Sequence, residues 1–490
     1  MFDGYIRDGA AWRPRTPALI LPGGPGHPFR PVAYARFDAD IDRFSRFLAT
    51  GPGLAPGQGA VSLAVTDPYI NRVALCALAR LGVASAPHDD PAAAHRLAYP
   101  PASGAGDPPS PSAAGPQTIA LTREQVAAVL AAPCEPLPRL APDPDALVRV
   151  QLSSGTTAAP KRVGYTWGRL EAATLTAVRV YGPGKLGVWV PMTGPDSLMG
   201  FGLSVAAWAV GAAVASGVTL ETLPALIEAH DQGVCVLTPI QLRNLLTWLP
   251  HGFRPRPGWR LQVGGSALPA ALAREAMLRI TPDVWHGYGA TESNRVAAGP
   301  AAALADTPGA VGHVPASALV TIEDDDGRPL PDGQSGEVVV RSTRTAPGYL
   351  DDPAATAARF DPAANSYRTG DLGRRLADGR LVIEGRLDER MNLGGRKFMP
   401  QRLEAPALEV EGVLDAACFA APGDDGLDQA WLAVTAAPGF DRGRLVRHLA
   451  TVADLPPLRL AWTDEIPRNA MGKVDRALLR DRLLSARQKP

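Results

Sequence analysis

Cysteine is scarce in this 490-residue chain, and its four residues lie far apart in the sequence. Cys76, Cys134, Cys235 and Cys418 form no CxxC pair and no cluster with histidine. This spacing excludes a zinc-finger type of metal site, which needs ligands in close pairs. We therefore expect four reduced, buried thiols in a cytoplasmic protein.

A charge surplus of either sign is also missing, because Lys+Arg and Asp+Glu each total 49. Proteins that bind nucleic acid need a basic excess to neutralise phosphates, so no nucleic-acid partner is expected. The first seventeen residues lack the apolar core of a signal peptide. Nothing in the composition indicates an exported protein.

One segment, Ser197–Leu220, has no charged residue and is long enough to cross a bilayer. Its Ala, Gly, Ser and Val residues give it a weak tendency to enter a membrane. A span here would also place the motifs described below in two compartments. We expect no membrane span and predict a buried loop, helix and strand.

The arrangement of apolar segments predicts an α/β protein of about three units, at about 150 residues per domain. Apolar strands and helices alternate between residues 145 and 300, which is typical of an open, doubly wound and mostly parallel sheet. Residues 310–385 are rich in strands and Asp-Gly turns, which indicates a small β-rich unit. The last hundred residues have an α+β pattern, and the Pro/Gly/Ser-rich segment 98–118 predicts a flexible surface loop.

The predicted elements follow from apolar periodicity and bounding Gly or Pro residues. The strands are Ala60–Val65, Val148–Leu152, Leu186–Pro191, Val234–Thr238, Arg260–Gly264 and Val284–Tyr288; the helices are Phe37–Leu48, Ile70–Leu81, Pro239–Leu249 and Ala270–Arg279.

The segment Ser153–Val163 follows an apolar strand and combines hydroxyl residues with a glycine and a Pro-Lys pair. Backbone N–H and side-chain O–H groups of such a loop can surround an anionic phosphate chain. The loop lacks the second glycine of a Walker A motif. An ordinary Ser/Thr-rich turn would look similar. The candidate phosphate ligands are Ser153, Ser154, Gly155, Thr156, Thr157 and Lys161.

A second segment, Val284–Asn294, ends a predicted strand in Gly287-Tyr288-Gly289, followed by Thr291-Glu292. An aromatic ring between glycines can lie flat against a purine. The carboxylate of Glu292 can hold Mg²⁺ through oxygen, although by itself it could be a surface residue.

Three further segments carry candidate polar residues. Asp371, in Thr369-Gly370-Asp371, is predicted to lie on a turn, where its carboxylate could accept two ribose hydroxyls. The segment Gly385–Glu404 contains Arg386 and a Gly394-Gly395 pair. The segment Pro467–Leu479 places Lys473 in a Gly-Lys turn before a helix.

Taken in this order, the motifs resemble those of the ANL superfamily of adenylate-forming enzymes, which includes acyl-CoA synthetases, adenylation domains and luciferases. The resemblance extends in register from about residue 60 to residue 490. It implies an N-terminal AMP-binding domain over residues 1–386. It also implies a small, mobile C-terminal domain over residues 387–490, which rotates about Asp388.

The resemblance also implies roles. Lys473, Thr291 and Glu292 would be catalytic, with Glu292 the Mg²⁺ ligand, and Tyr288 would stack on adenine. Asp371 and Arg386 would bind the ribose, and Gly394-Gly395 would open a path for a thiol. ATP, Mg²⁺ and, as co-substrate, CoA are therefore expected.

Two features depart from the family pattern. The phosphate loop has Ala158 and Arg162 where the family usually has glycine, and Arg162 is expected to be solvated. The segment after Pro191 lacks the histidine that many members carry near the acyl pocket. The predicted pocket residues are Met199, Phe201, Ile240, Gly264, Gly265 and Ser266.

These pocket residues include no charged side chain, and only Asp196 could serve as counter-ion to an amino group. An aryl or medium-chain acid is therefore favoured over an amino acid. Three acceptors stay open: CoA, the pantetheine of a carrier protein, or a nucleophile that gives an amide or N–N bond. A monomer or homodimer is expected.

Overall fold

The computed structural model describes residues 2–24, 27–99, 116–141, 143–153, 160–182, 187–393, 396–423, 428–452, 455–468 and 474–487. The strands in chain order are β1 (Pro17–Gly24), β2 (His27–Ala33), β3 (Val61–Val65), β4 (Ser85–Ala86), β5 (His95–Tyr99), β6 (Gln117–Ala120), β7 (Leu147–Ser153), β8 (Lys161–Thr166), β9 (Val188–Pro191), β10 (Ala213–Ala215), β11 (Gly233–Leu237), β12 (Trp259–Gly264), β13 (Val284–Ala290), β14 (Asn294–Pro300), β15 (Ala310–His313), β16 (Leu319–Glu323), β17 (Gly336–Arg341), β18 (Phe360–Asp361), β19 (Ser366–Arg375), β20 (Arg380–Arg386), β21 (Met391–Leu393), β22 (Arg396–Phe398), β23 (Val413–Pro422), β24 (Asp428–Ala436) and β25 (Leu458–Trp462).

The helices are α1 (Asp3–Trp12), α2 (Tyr34–Thr50), α3 (Pro68–Arg80), α4 (Arg123–Ala131), α5 (Trp167–Tyr181), α6 (Leu198–Ala209), α7 (Leu223–Ala229), α8 (Pro239–Trp248), α9 (Ala270–Arg279), α10 (Ala301–Leu304), α11 (Pro353–Arg359), α12 (Gln401–Glu409), α13 (Arg442–Leu449) and α14 (Arg476–Arg487), with a 3-10 helix at Leu387–Glu389.

Two sheets form the N-terminal part of the chain. The smaller has the strand order β6-β5-β3-β4-β7-β8 and is parallel except for the antiparallel pair β7–β8. The larger has parallel strands β1, β10, β9, β11, β12 and β13 at its centre. Helices connect the parallel strands, as βαβ crossovers require. The predicted doubly wound α/β architecture is confirmed.

The β-rich unit continues the larger sheet. Strand β14 turns back antiparallel on β13, and the order then runs β15, β20, β19, β17 and β16. The expected small β-unit is therefore an antiparallel extension of the main sheet, and its strands share the sheet with β13.

Helices α3 and α6 lie in the layer between the sheets. One hydrophobic cluster contains Leu75 of α3 and Val205 of α6 together with Leu63 of the smaller sheet and Trp189 of the larger. All four side chains are nearly or completely buried. Burial of each such side chain contributes about 1.5–3 kcal/mol, so this layer holds the two sheets together.

The C-terminal residues form a smaller α+β assembly. Strands β23, β24 and β25 make a three-stranded sheet, and β21 and β22 make a separate hairpin. Two hydrophobic clusters between Met391 and Leu484 contain residues of this part alone. This arrangement matches the predicted α+β pattern, while the exact boundary at residue 386 stays a prediction.

The charge-free segment Ser197–Leu220 is a loop, helix α6 and strand β10, as the sequence predicts. Within the described residues, we find no helix that is long and apolar enough to cross a membrane. The predicted loop at 98–118 is wrong at both ends, because β5 includes 98–99 and β6 includes 117–118. Residues 100–115 of that loop lie outside the described residues.

The junction of the main sheet with its antiparallel extension depends on Gly312. Its φ is +97°, and an added Cβ would lie 2.1 Å from the carbonyl carbon of Ala298. Gly333 has a similar φ of +87°, but an added Cβ there would meet no atom within 4 Å. An alanine at Gly333 would therefore introduce backbone strain alone, whereas an alanine at Gly312 would add steric overlap with Ala298.

We predict that Gly333→Ala costs about 1–2 kcal/mol from its left-handed backbone alone. Gly312→Ala should cost at least about 2 kcal/mol more, because β14 and β15 must move apart. Thermal unfolding of both variants beside the parent protein measures the difference. Equal shifts in Tm would contradict the close approach of Ala298.

Candidate active site

The sequence motifs gather where parallel strands end. Strands β7, β9, β12 and β13 end at Ser153, Pro191, Gly264 and Ala290, and a predicted site segment follows or closes each of them. The carboxyl ends of parallel strands leave loops free to form a crevice, where ligands bind in open α/β sheets. The fold thus brings both sheets to one site.

Glu292 lies in the tight turn that joins β13 to β14. Asn294 adopts a left-handed φ of 59°, and a Cβ at Gly289 would lie 2.3 Å from the Asn294 carbonyl oxygen. The local sequence therefore dictates the turn. The backbone of Ala346 donates to the Glu292 carbonyl at 2.8 Å, and the Tyr165 hydroxyl donates to the Thr291 carbonyl at 2.5 Å.

Glu292 as a whole residue is only 7% exposed. Its Oε1 accepts a hydrogen bond from the Tyr349 hydroxyl at 3.0 Å. Among the described residues, no lysine, arginine or histidine nitrogen lies within 4 Å of it. Burial and the neighbouring Glu292 charge raise the pKa of Tyr349, so this hydroxyl stays protonated as a donor.

A second carboxylate, Asp371, lies beside Tyr288. The Tyr288 hydroxyl donates to Asp371 Oδ2, and Arg386 Nη1 donates to Asp371 Oδ1 at 3.3 Å. The Thr369 hydroxyl accepts from the Asp371 backbone at 3.0 Å and donates to the Val338 carbonyl at 2.8 Å. Burial and the Asp371 charge hold the pKa of Tyr288 well above its usual value.

The expectation that Asp371 lies on a turn is wrong. It lies inside strand β19, next to Gly370 with a φ of +73° and to a register shift at Leu372/Gly373. These irregularities kink the strand, as a bulge does. The sequence Thr-Gly-Asp looked like a turn because glycine is common in both settings.

The phosphate loop is described only at its two ends. Ser153 is buried at the end of β7, whereas Ser154, Gly155, Thr156 and Thr157 lie outside the described residues. Lys161 Nζ is 3.2 Å from Asp352 and 4.8 Å from the centre of the Tyr349 ring. The lysine therefore lies next to the tyrosine that contacts Glu292.

Arg162 is not solvated, which corrects the expectation. Its side chain is 14% exposed, and its Nε is 3.0 Å from the fully buried carboxylate of Asp90. Its Nη1 is 2.8 Å from Asp351. The guanidinium therefore joins the strand after the phosphate loop to two loops that border the site.

The predicted acyl-pocket residues fall into two groups. A Cβ on Gly264 would lie 3.3 Å from Met199 Sδ, and one on Gly265 would lie 3.7 Å from the Thr238 methyl carbon. Ile240 is partly buried in the first turn of α8, just after Thr238. Together these residues form one surface at the ends of β11 and β12.

Ser266 extends this surface. Its carbonyl accepts from His286 Nε2 at 3.3 Å, which ties the 264–266 loop to β13. Burial lowers the pKa of His286 to about 4, so the ring is neutral at physiological pH. This histidine therefore positions a loop and does not carry charge.

Phe201 does not lie with this group. It has no exposed surface, its ring packs edge-on against Phe2 at 5.6 Å, and the Arg149 guanidinium carbon is 4.9 Å from its centre. Residues 199 and 201 lie on different faces of α6, since successive residues rotate by about 100°. A pocket role for Phe201 has no support in this geometry.

Asp196, the one candidate counter-ion for an amino group, already has two basic neighbours. His88 Nδ1 lies 2.8 Å from Asp196 Oδ2, and Arg149 Nη2 lies 3.8 Å from Oδ1. Arg149 thus places a positive charge near Asp196, and His88 contacts its other oxygen.

The predicted hinge residue Asp388 lies in the short 3-10 helix after β20. Its carboxylate accepts from Arg386 Nε at 3.2 Å and from Nη2 at 3.3 Å. Because Arg386 also contacts Asp371, one guanidinium connects the predicted hinge residue to the predicted ribose site. Gly394, Gly395 and Lys473 lie outside the described residues, so their roles stay predictions.

The donor set is suited to a nucleotide with a divalent cation. Glu292 offers a buried anionic oxygen with a hydroxyl neighbour and no cation among the described residues, which is the chemistry that Mg²⁺ prefers. Gly287 and Gly289 allow the close approach of Gln262 and Asn294, which a Cβ at either position would overlap. Asp371 offers a carboxylate that is held in place by the backbone and by Arg386.

Sequence reasoning did not identify Tyr349, Tyr165 or His286 as part of the site. Tyr349 follows Gly348, and its contact with Glu292 spans 57 residues. Neither a spacing nor a periodicity relates such distant residues. The glycine before Tyr349, with a φ of +157°, was the one local signal.

The comparisons with known proteins agree with this geometry. The family model described as AMP-binding enzyme matches residues 107–350. A 2-hydroxy-7-methoxy-5-methyl-1-naphthoate–CoA ligase from Streptomyces carzinostaticus is 30% identical over 70% of this chain and 64% of its own length. CymA of Salinispora arenicola, a probable non-canonical nonribosomal peptide synthetase, is 28% identical over 93% of this chain but 6% of its own length. The chain thus spans less than two thirds of these relatives.

The crystal structure of ATP-bound MatB from Rhodopseudomonas palustris has the same fold. It superimposes with a TM-score of 0.80 at 21% identity, over 98% of this chain and 99% of that one. The matched sequence, the shared fold and the site motifs together show that this chain belongs to the ANL superfamily of adenylate-forming enzymes.

Proposed function

We propose that this protein uses ATP and Mg²⁺ to convert a carboxylic acid into an acyl-AMP and then transfers the acyl group to a thiol, that of CoA. The observation that carries the proposal is the buried Glu292 carboxylate, which has a hydroxyl donor but no cation among the described residues. An ionised carboxylate without a cation is costly in a protein interior. A phosphate-bound metal would remove that cost.

The first half-reaction is an in-line displacement. A carboxylate oxygen of the acid bonds to the α-phosphorus of ATP, and the bond to pyrophosphate breaks. Mg²⁺ held by Glu292 would supply charge neutralisation to the phosphate oxygens. Asp371 and Arg386 would hold the ribose, and Lys161 would face phosphate oxygens from the end of the loop.

No nucleophilic side chain is required, because the substrate itself attacks. The protein therefore works by positioning two anions that repel each other and by stabilising charge in the transition state. The buried, hydrogen-bonded setting of Asp371 is suited to this task, since its orientation is fixed before the nucleotide arrives. Lys473 would supply positive charge between the two anions.

For the acid, we propose an aryl or medium-chain compound. Met199, Ile240 and the glycines at 264 and 265 offer an apolar surface without a free charge. Asp196 is already paired with His88 and Arg149, which disfavours it as the partner of an α-amino group. The naphthoate ligase relative acts on an aryl acid, as its name states.

The proposal is tested by measuring pyrophosphate release from ATP with panels of aryl, acyl and amino acids. Each reaction is run with CoA, with a carrier protein bearing pantetheine, with an amine, or with no acceptor. We expect release with aryl or medium-chain acids and a thioester only with CoA. An amide product would show that the acceptor is an amine. A thioester formed only on the carrier protein would show that the carrier, and not CoA, is the acceptor. No release with any acid would overturn adenylate formation.

Glu292→Gln should raise the Mg²⁺ concentration needed for half-maximal rate and lower kcat, because an amide oxygen carries no net charge. Glu275→Gln is the matched control, since Glu275 lies on α9 and is 48% exposed at its side chain. Magnesium titrations of pyrophosphate exchange give both values. Identical titrations for the two variants would remove the metal-ligand role.

Lys473→Ala should slow acyl-AMP formation about 10²–10³-fold, the loss seen when one donor to a transition-state charge is removed. ATP affinity should change little. Lys489→Ala is the control for loss of a lysine near the C-terminus. Pyrophosphate exchange measures the rate, and near-parental exchange by Lys473→Ala would refute the assignment.

Asp388→Pro should retain measurable acyl-AMP formation and lose most thioester formation. Proline fixes φ near −65° and so restricts the hinge to one state. Asp388→Ala is the matched control, since it also removes the carboxylate from Arg386 but leaves the backbone free. The two half-reactions are timed separately in both variants. A ratio of rates unchanged within a few-fold by the proline would exclude a hinge at this residue.

A further inference from the structure

A histidine and an aspartate from distant parts of the sequence meet beside the site. His88 Nδ1 is 2.8 Å from Asp196 Oδ2, and the two residues are 108 positions apart. A carboxylate can only accept, so Nδ1 carries the hydrogen and Nε2 has the free lone pair. Nε2 makes no hydrogen bond to any described residue, and the side chain is 61% exposed.

Both residues belong to the edge of the sheets where the site lies. His88 is two positions beyond the end of β4, and Asp196 is five positions beyond the end of β9. Between them the smaller sheet contributes β7, which pairs with β4 and ends at Ser153. The histidine thus follows a strand whose neighbour carries the phosphate loop.

A contact next to His88 fixes its loop to the same region. Asp90 is fully buried and binds Arg162, the residue just after Lys161. The backbone of Ala92 donates to Asp90 at 3.1 Å. The loop that carries His88 is therefore attached to the strand that leaves the phosphate loop.

The buried side chain of Arg149 contacts both Asp196 and the residue before it. Arg149 is 1% exposed and donates to the Pro195 carbonyl at 2.9 Å and to Ser85 Oγ at 3.2 Å. These bonds fix the residue before Asp196 and place a positive charge 3.8 Å from its Oδ1. The carboxylate is thereby oriented, with one oxygen toward Arg149 and the other toward His88.

Asp196 belongs to the segment after Pro191, which is predicted to lie near the acyl pocket. The segment after Pro191 contains no histidine, but the fold brings one to Asp196 of that segment from the loop after β4. The segment leads through the cap residue Ser197 into α6, where Met199 contacts Gly264 of the apolar surface. The imidazole is therefore connected, through Asp196 and the cap residue Ser197, to the helix that carries Met199 of the proposed acyl site.

We propose that His88, oriented by Asp196, is the general base of the second half-reaction. This inference rests on the proposed function and assigns a residue to its transfer step. The acceptor sulfur bonds to the acyl carbon, the bond from that carbon to the AMP oxygen breaks, and AMP leaves. The proton of the S–H group goes to His88 Nε2. An amine acceptor would give up an N–H proton to the same atom.

The first half-reaction needs no such base, because the attacking acid is already ionised at neutral pH. Removing the imidazole should therefore slow transfer and spare adenylation. A purely structural role for His88 would instead change both half-reactions together. The two rates can be measured separately, so this difference is the test.

The variants are His88→Ala, Asp196→Asn and, as a control, His251→Ala. His251 is exposed and lies three positions beyond the end of α8, outside the predicted site segments. For each protein, pyrophosphate exchange without acceptor reports adenylation. Single-turnover decay of the acyl-AMP after addition of CoA, or of an amine in a parallel reaction, reports transfer.

We expect His88→Ala to keep pyrophosphate exchange within about twofold and to lower the transfer rate about 10²-fold, the typical contribution of a general base. Asp196→Asn should lower transfer in the same direction, because an amide can stabilise the wrong tautomer of the ring. His251→Ala should leave both rates unchanged. Added imidazole should restore part of the transfer rate to His88→Ala and none to Asp196→Asn.

Transfer by His88→Ala at the parental rate would overturn the inference, and so would loss of both half-reactions in parallel. Lack of rescue by imidazole together with a raised KM for CoA would assign His88 to binding instead. Failure of the proposed function gives a different result, since the parental protein would then release no pyrophosphate with any acid.

Discussion

A carboxylate that leaves water needs a partner, and this constraint organises the site. Three buried acidic side chains belong to the region of the predicted site, and each has a different set of partners. Among the described residues, Asp90 is paired with Arg162, Asp371 with Arg386 and a tyrosine hydroxyl, and Glu292 with a tyrosine hydroxyl and no cation. Because desolvated charge is costly, the carboxylate without a cation is the one where a metal ion is most strongly favoured.

The pairing of Asp371 also connects the nucleoside region to the C-terminal part of the chain. Arg386 closes β20 and contacts Asp371 on one side and Asp388 on the other. If the backbone dihedrals at Asp388 change, Arg386 cannot keep both contacts in their present geometry. Either its hydrogen bond to Asp371 or its hydrogen bonds to Asp388 must then be lost or altered. Under the proposed function, this ion pair would couple occupancy of the nucleotide site to the predicted rotation about Asp388.

The loops around the site are joined by charged and hydrogen-bonded contacts between residues that are distant in the sequence. Arg162 stands where a glycine is usual, and its two ion pairs join the strand after the phosphate loop to the loops at Asp90 and Asp351. His88 and Asp196 make a similar connection between the loops after β4 and β9. Under the proposed function, these contacts border the region where the acid and its acceptor would meet.

The sequence by itself determined those features whose cause is local. Apolar periodicity predicted helix Ala270–Arg279 with its observed bounds. Alternating strands and helices predicted the parallel sheet, because a crossover needs a helix between parallel strands. The order of the motifs predicted the superfamily.

Only the tertiary structure decided the features that depend on distant residues. Asp371 looked like a turn residue but lies in a kinked strand, because its backbone pairs with β20 and β17. Phe201 looked like a pocket residue but packs against Phe2, because rotation along α6 turns it away from Met199. The partners of Glu292, Arg162 and Asp196 come from segments tens to more than a hundred positions away. A sequence fixes which residues are neighbours along the chain, whereas burial and pairing of charge are settled only when the sheets bring distant loops to one edge.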